Sequence, residues 1–264
     1  MKNKSTEFKV GMLLIMLFLL IAVISVFYTP HDAYEMKPNM KLQAPTSEIL
    51  FGTDNLGRDI FSRTMIGIRY SLMFSGMTLF LSAAIGITIG LVASRANRLL
   101  DQFIMRVVDA INSIPTILLA LVLLSVFAGG NVPLIIAMVI IFTPAFVRMT
   151  RNEAIQIKEL EYIQHAEVLG ASNFRIMFIH TLPNIYPSLL STGIIVITNS
   201  IMVESALSYL GVGIQPPIPS LGRMMYDAQS YLFNAPWGAI LPGIAIVLLI
   251  SGFNYLGEGI RKLY

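Results

Sequence analysis

Long apolar runs recur along this chain, at residues 10–28, 70–93, 104–126, 132–149, 187–210 and 238–257. An α-helix needs about 20 residues to cross the hydrocarbon core of a bilayer. Backbone N–H and C=O groups find no water there, so such a run folds as a helix that pairs them internally. The runs therefore predict an all-α integral membrane protein with six transmembrane helices. Composition agrees, with 55% of residues hydrophobic and 12% charged, against about 25% charged in soluble domains. The basic, polar start before the first run is also how a signal peptide begins. Val10 to Tyr28 is longer than the roughly 7–15 residues of a signal-peptide core, so the sequence reads as an uncleaved first helix. Internal Pro115 and Pro242 can be accommodated in a membrane bundle. Ser82-Ala83-Ala84 and the glycines from Gly86 to Gly90 predict a close helix approach.

Between the fourth and fifth runs lies a polar segment, Glu153 to Asn184, too charged to sit in lipid. At about 100° per residue, Ile155, Tyr162, Ile163, Ala166 and Leu169 share one face of a helix over its first half. Gly170 is placed to end that helix, and Ser172 or Asn173 to cap a second short one. Leu182-Pro183-Asn184 should stop the segment before the next run begins near Pro187. The expected product is a helix–Gly–helix hairpin that lies in water or against another protein.

The residues of this segment resemble a known element. Glu153-Ala154, Tyr162-Ile163, Ala166, Leu169-Gly170-Ala171-Ser172, His180 and Leu182-Pro183-Asn184 are similar to the EAA loop of importer-type ABC permeases, in the peptide and nickel branch. His165 departs from the pattern, standing where that branch usually has Ala. A second match lies earlier: Gly52-Thr53-Asp54 with Gly57-Arg58-Asp59, then Ser62-Arg63, resembles the branch's GTDxxGRDxxSR signature. Read from the residues alone, that stretch is a loop held by tight turns and its own ion pairs, with Thr53 and Asp54 bonding nearby backbone. A third match is Tyr209-Leu210-Gly211-Val212-Gly213 with Gln215-Pro216-Pro217, although Leu221 stands where the family usually has Trp before Gly222.

The resemblance implies a type I importer permease with a cytoplasmic coupling-helix hairpin. Residues 1–69 would form an N-terminal transmembrane helix and the extracytoplasmic GTDxxGRD segment, and 70–264 the permease domain with its EAA loop at 153–184. Glu153, Ala154, Tyr162, Ala166, Leu169, Gly170, Ala171 and Pro183 would couple the chain to an ATPase. Implied partners are a second permease subunit, two ATP-binding subunits, an extracytoplasmic substrate-binding protein and the lipid bilayer. ATP and Mg²⁺ would be used by the ATPase, with no cofactor on this chain. Di- and oligopeptide carriers share these signatures with nickel or metal-chelate carriers. The segment from Gly211 to Trp237, too rich in Pro and Gly for a span, would dock the binding protein.

Basic residues set an orientation. With the N-terminus inside, Lys2, Lys4, Lys9, Arg95, Arg98, Arg106, Arg148, Arg151, Lys158, Arg175, Arg261 and Lys262 are all cytoplasmic. Both termini and the 153–184 hairpin then face the cytoplasm of the cell (inner) membrane. The outer segments keep Lys37, Lys41, Arg58 and Arg63 beside several carboxylates.

Glu204, in the fifth run, is expensive in a membrane unless paired, protonated or facing water. It reads either as a pathway or interface site, or as a group near the outer end of its helix that is solvated or bonded to a loop. Asn199 and Ser200, about one turn earlier, would extend a polar stripe toward the pore. Arg106 and Asp109 are expected to make polar contacts at the inner membrane boundary. No GxxxxGK[ST] loop, HExxH or nucleophile elbow occurs, so no catalytic residue is predicted. An intramembrane enzyme using Glu204 and Asp109 as acids is the rival from another class, and it lacks any second catalytic element. Absence of Cys and the wide spacing of His31, His165 and His180 argue against a metal site. Scattered Lys and Arg argue against nucleic-acid binding.

Overall fold

The computed structural model describes residues 4–127 and 129–262; Lys2, read above as cytoplasmic, lies outside them. In chain order the helices are α1 (Lys4–Phe27), α2 (Ile60–Arg95), α3 (Arg98–Asn112), α4 (Thr116–Val126) and α5 (Asn131–Lys158). The polar segment forms α6 (Glu161–Val168), α7 (Asn173–Arg175), a π-helical turn (Ile176–Thr181) and α8 (Leu182–Asn184). Then follow α9 (Tyr186–Tyr209), α10 (Leu221–Ala228) and α11 (Trp237–Arg261). Among the described residues the only β pairing is an isolated bridge between Thr53 and Asp59.

Five helices, α1, α2, α5, α9 and α11, are long and apolar enough to cross a membrane. The expected third straight span is instead broken: α3 and α4 meet at 96°. Pro115 causes this. Its own backbone is non-helical at φ −52°, ψ 131°, and a proline disfavours helix in the residue before it. It therefore stands at the break and is not absorbed inside a helix, whereas Pro242 lies within α11 as expected. Together α3 and α4 can still count as a sixth, bent span; its first half, amphipathic α3, is held to α5 by two ion pairs. Arg151 grips Asp101 through Nε and Nη2, at 2.5 and 2.6 Å, and Arg148 meets Asp109 at 2.8 Å. Asp109 thus pairs with Arg148 on α5.

Helix α2 begins ten residues before the apolar run that marked it. Asp59 caps it, Oδ2 accepting from Ser62 N at 2.9 Å and Ser62 Oγ at 2.6 Å. The polar first turns stay helical because protein, not lipid, covers them: Arg63 Nη1 donates to Ala33 O at 3.1 Å, and Arg69 Nη1 to Ser25 O at 3.0 Å. The helix therefore runs unbroken through residues 69 and 70. At 36 residues it is about 54 Å long.

The predicted small-residue contact lies between α2 and α5. A Cβ on Gly86 would sit 2.5 Å from Phe146 Cβ, and one on Gly90 2.7 Å from Thr150 Cβ. Around it, Phe74 from α2, Leu134, Met138 and Phe146 from α5, and Val196 and Leu207 from α9 form the main core. A second core joins Phe18, Ile68, Ile201, Leu249 and Phe253, so α1 and α11 pack as one flank of the bundle.

Gly86→Leu should therefore pry α2 from α5 and cost about 1–3 kcal/mol, the usual penalty for overpacking. Gly76→Leu, on the same helix where a side chain would meet open space, should cost much less. Thermal unfolding of the two variants in one detergent distinguishes them.

Candidate coupling hairpin and a buried carboxylate

The hairpin grows directly out of α5, which continues past its apolar run to Lys158. Leu160 is extended at φ −72°, ψ 135°, and this break resets the rotation before α6. The single apolar face expected over the first half is consequently split. Ala154, Ile157 and Ile163 turn inward, and Ile157 and Ile163 pack with Ile176 and Ile185. Tyr162 and Leu169 turn outward. Ala166 and Ala171 are half-buried, the latter against the same small core. Glu153 Oε1 accepts from Ser188 Oγ at 3.0 Å, fastening the end of α5 to the start of α9.

Gly170 ends α6 as predicted, in the left-handed region at φ +84°. Its N–H bonds Glu167 O at 3.0 Å and that of Ala171 bonds Ala166 O at 3.0 Å, the paired pattern of a Schellman C-cap. Space around Gly170 is open within this chain. Ser172 caps α7, its Oγ accepting from Arg175 N at 3.3 Å. Leu182-Pro183-Asn184, expected to stop the segment, is helical. The π-helical turn before it shifts the bonding register, and the helix continues through Pro183. Asn184 Nδ2 donates to His180 O on its own arm at 2.6 Å and to Tyr162 Oη at 3.0 Å, which joins the two arms.

Around Gly170 the apolar side chains point away from the fold. Val168 is 86% and Leu169 87% exposed, and Phe174 and Ile179 are also exposed. The sequence reading named Leu169 but missed Val168, Phe174 and Ile179; an apolar pair directly before a C-cap glycine in a charged segment was the available signal. Arg95, at the end of α2, was also missed as part of this site. Its Nη1 donates at 2.8 Å to both Glu167 Oε1 and Asn173 Oδ1, one on each side of the Gly170 turn.

Toward the opposite end of the bundle, Glu204 is fully buried. Its oxygens accept from Ser71 Oγ on α2 at 2.8 Å and from Ser208 Oγ at 2.7 Å. Ser208 Oγ in turn accepts from Ile214 N at 3.1 Å. Glu204 thus bonds two helix residues directly and the 211–215 loop only through Ser208. The expected polar stripe also divides, since Ser200 is buried beside Glu204 on one face and Asn199 is exposed on another. Glu204 and Asp109 are not brought together, for Asp109 faces Arg148 near the hairpin end of α5.

The Gly52–Asp59 stretch is a knot of local bonds. Gly52 and Gly57 take φ +70° and +77°. Thr53 Oγ1 accepts from Gln43 N at 2.9 Å and donates to Met40 O. Asp54 accepts from Leu56 N at 2.8 Å, Arg58 N at 3.0 Å and Arg58 Nε at 2.6 Å. This is the self-bonded loop that the residues predicted, and it sets the Asp59 cap of α2.

Glu204→Ala would leave two buried serine hydroxyls without their acceptor, at about 1–3 kcal/mol. Glu204→Gln, which keeps one acceptor oxygen, should lose less. Melting temperatures of the two purified variants give the order.

With this geometry in place, the likenesses to known proteins can be located on it. Residues 86–264 match the family model described as the binding-protein-dependent transport system inner membrane component. A dipeptide transport system permease protein, DppC, of Alkalihalophilus pseudofirmus is 35% identical over 96% of this chain and 83% of that protein. A glutathione transport system permease protein, GsiD, of Pectobacterium atrosepticum is 36% identical over 94% of this chain and 83% of that protein. In fold, the chain is similar to a chain of the inward-facing MetNI methionine ABC transporter, with a TM-score of 0.64 at 20% identity over 76% of this chain and 96% of that one. The family match covers the whole hairpin, from Glu153 through Asn184, and Glu204 as well.

Proposed function

The chain belongs to the family of binding-protein-dependent transport system inner membrane components, and from that premise we propose that it is the permease subunit of an ATP-driven importer of di- and oligopeptides. It would form half of a pore with a second permease chain. Two ATP-binding subunits would sit on the cytoplasmic side and a substrate-binding protein on the other. Two relatives of different origin carry names of small-peptide transport, dipeptide and glutathione, and this favours peptide over nickel or a metal chelate. On this reading the protein is not an enzyme, and ATP and Mg²⁺ belong to its partner.

The observation that carries the reading is the exposed apolar tip of the hairpin. Val168 and Leu169 stand almost bare on a segment too charged for lipid. Burying such a side chain is worth about 1.5–3 kcal/mol. A short amphipathic helix seated in a groove of the ATPase would recover that energy and transmit rigid-body motion. Open space at Gly170 leaves room for the partner's backbone to come close. Tyr162, Ala166, Ala171 and Pro183 shape the surface around the tip, while Glu153 and Ala154 fix its base to α5 and α9. On this reading the hairpin and both chain ends lie in the cytoplasm, which the distribution of basic residues favours. Closure of the ATPase dimer on ATP would then pull the hairpin and open the pore outward, and hydrolysis would reset it.

Co-purification tests this. Wild-type chain expressed with its neighbouring transporter genes should bring down an ATPase subunit and a second permease. Gly170→Arg, which places a bulky side chain at φ +84° on the docking face, should lose most of the ATPase, at least tenfold, while keeping the second permease. Absence of any ATPase from the wild-type preparation contradicts the proposal.

A further inference from the structure

The hairpin is joined covalently to α5 and α9, but its only tie to α2 found in side-chain hydrogen bonds among the described residues is Arg95. That tie is unusually placed. Arg95 is the last residue of α2, where a cation is favoured by the helix dipole. Its side chain is 12% exposed and that of Glu167 35%, so the arginine lies against the fold while its acceptors stand at the surface. A single nitrogen reaches Glu167 before the Gly170 turn and Asn173 after it, each at 2.8 Å. Closing the turn from both sides fixes its position relative to α2 as well as its shape.

Helix α2 is the element best able to carry a displacement away from that turn. It runs unbroken for 36 residues. On its way it touches α5 at Gly86 and Gly90 and bonds Glu204 of α9 through Ser71. It ends at the Asp59 cap, in the knotted loop at the opposite end of the bundle. A tilt received at Arg95 would therefore arrive at Glu204 and at the loop that Ser208 holds.

We propose that Arg95 is a positioning residue that clamps the hairpin to α2, so that the two move as one body and motion of the hairpin is delivered along α2 to the far end of the bundle. The inference rests on the docking reading given above for its source of motion. The clamp itself is a property of this chain.

The chain has no cysteine, so within it a pair of spin labels attaches only at introduced positions, and it is labelled before assembly with its partners. Labels at Val92→Cys on α2 and Glu161→Cys on α6, both at exposed positions, would be measured in the assembled complex in nanodiscs, without nucleotide and after trapping with ATP and vanadate. With Arg95 present, one narrow distance distribution is expected, the same in both states. Arg95→Ala should widen it at least twofold and make it differ between the states, while the ATPase still co-purifies because the tip residues are unchanged. Reversing the pair, R95E with E167R, should narrow it again. A distribution in Arg95→Ala as narrow and state-independent as with Arg95 overturns the clamp. Should no ATPase associate even with Arg95 present, the docking reading fails, and the width measured in the isolated chain still decides the clamp.

Discussion

The contact between α2 and α5 is the one on which the rest of the structure depends. Without side chains at Gly86 and Gly90, the α2 backbone lies directly against Phe146 and Thr150. Between membrane helices there is no water to expel, so association relies on such close approach. Once made, this contact positions what each helix carries. From α5 come the hairpin and the arginines that hold α3; from α2 come the Asp59 cap, the Ser71 bond to Glu204, and Arg95. Bringing these two helices together places both ends of the bundle at once.

Apolar exposure has opposite meanings in different parts of this molecule. On α1, exposed Leu13, Leu17 and Leu20 lie on a helix apolar enough to span lipid, where the hydrocarbon covers them. Val168 and Leu169 belong to a segment with Glu161, Glu167 and Arg175 nearby, which lipid would reject. Covering them takes a protein surface. The same solvation argument explains Glu204, which meets the cost of a carboxylate in an apolar bundle through two serine hydroxyls and reaches the 211–215 loop through Ser208.

Much of this was legible in the residues. Gly170 as a C-cap, Ser172 as an N-cap, the self-bonded Gly52–Asp59 loop and the close approach at Gly86–Gly90 all follow from local chemistry, and local chemistry sets them in the structure. The misreadings share a different cause. Pro115 sits in a continuous apolar run, and hydropathy does not register a break in direction. The start of α2 was hidden because Ser62, Arg63 and Arg69 look like loop residues until the chain that covers them is in place. The face expected across Ile155 to Leu169 failed because two residues, Glu159 and Leu160, interrupt the helix without a Gly or Pro to announce it. Arg95 was counted only as a cation at a membrane boundary, since its partners lie 72 and 78 residues away in sequence.

The most direct test of the central claim is contact at the tip itself. A photo-crosslinking amino acid at position 168, irradiated in membranes containing the assembled complex, should give an adduct with the ATPase subunit. The same group at position 233, where Phe233 is 99% exposed at the opposite end, should give no such adduct. An ATPase adduct at 168 and none at 233 is the predicted result. No adduct at 168, or equal yields at both positions, would contradict the account of the hairpin as the coupling element.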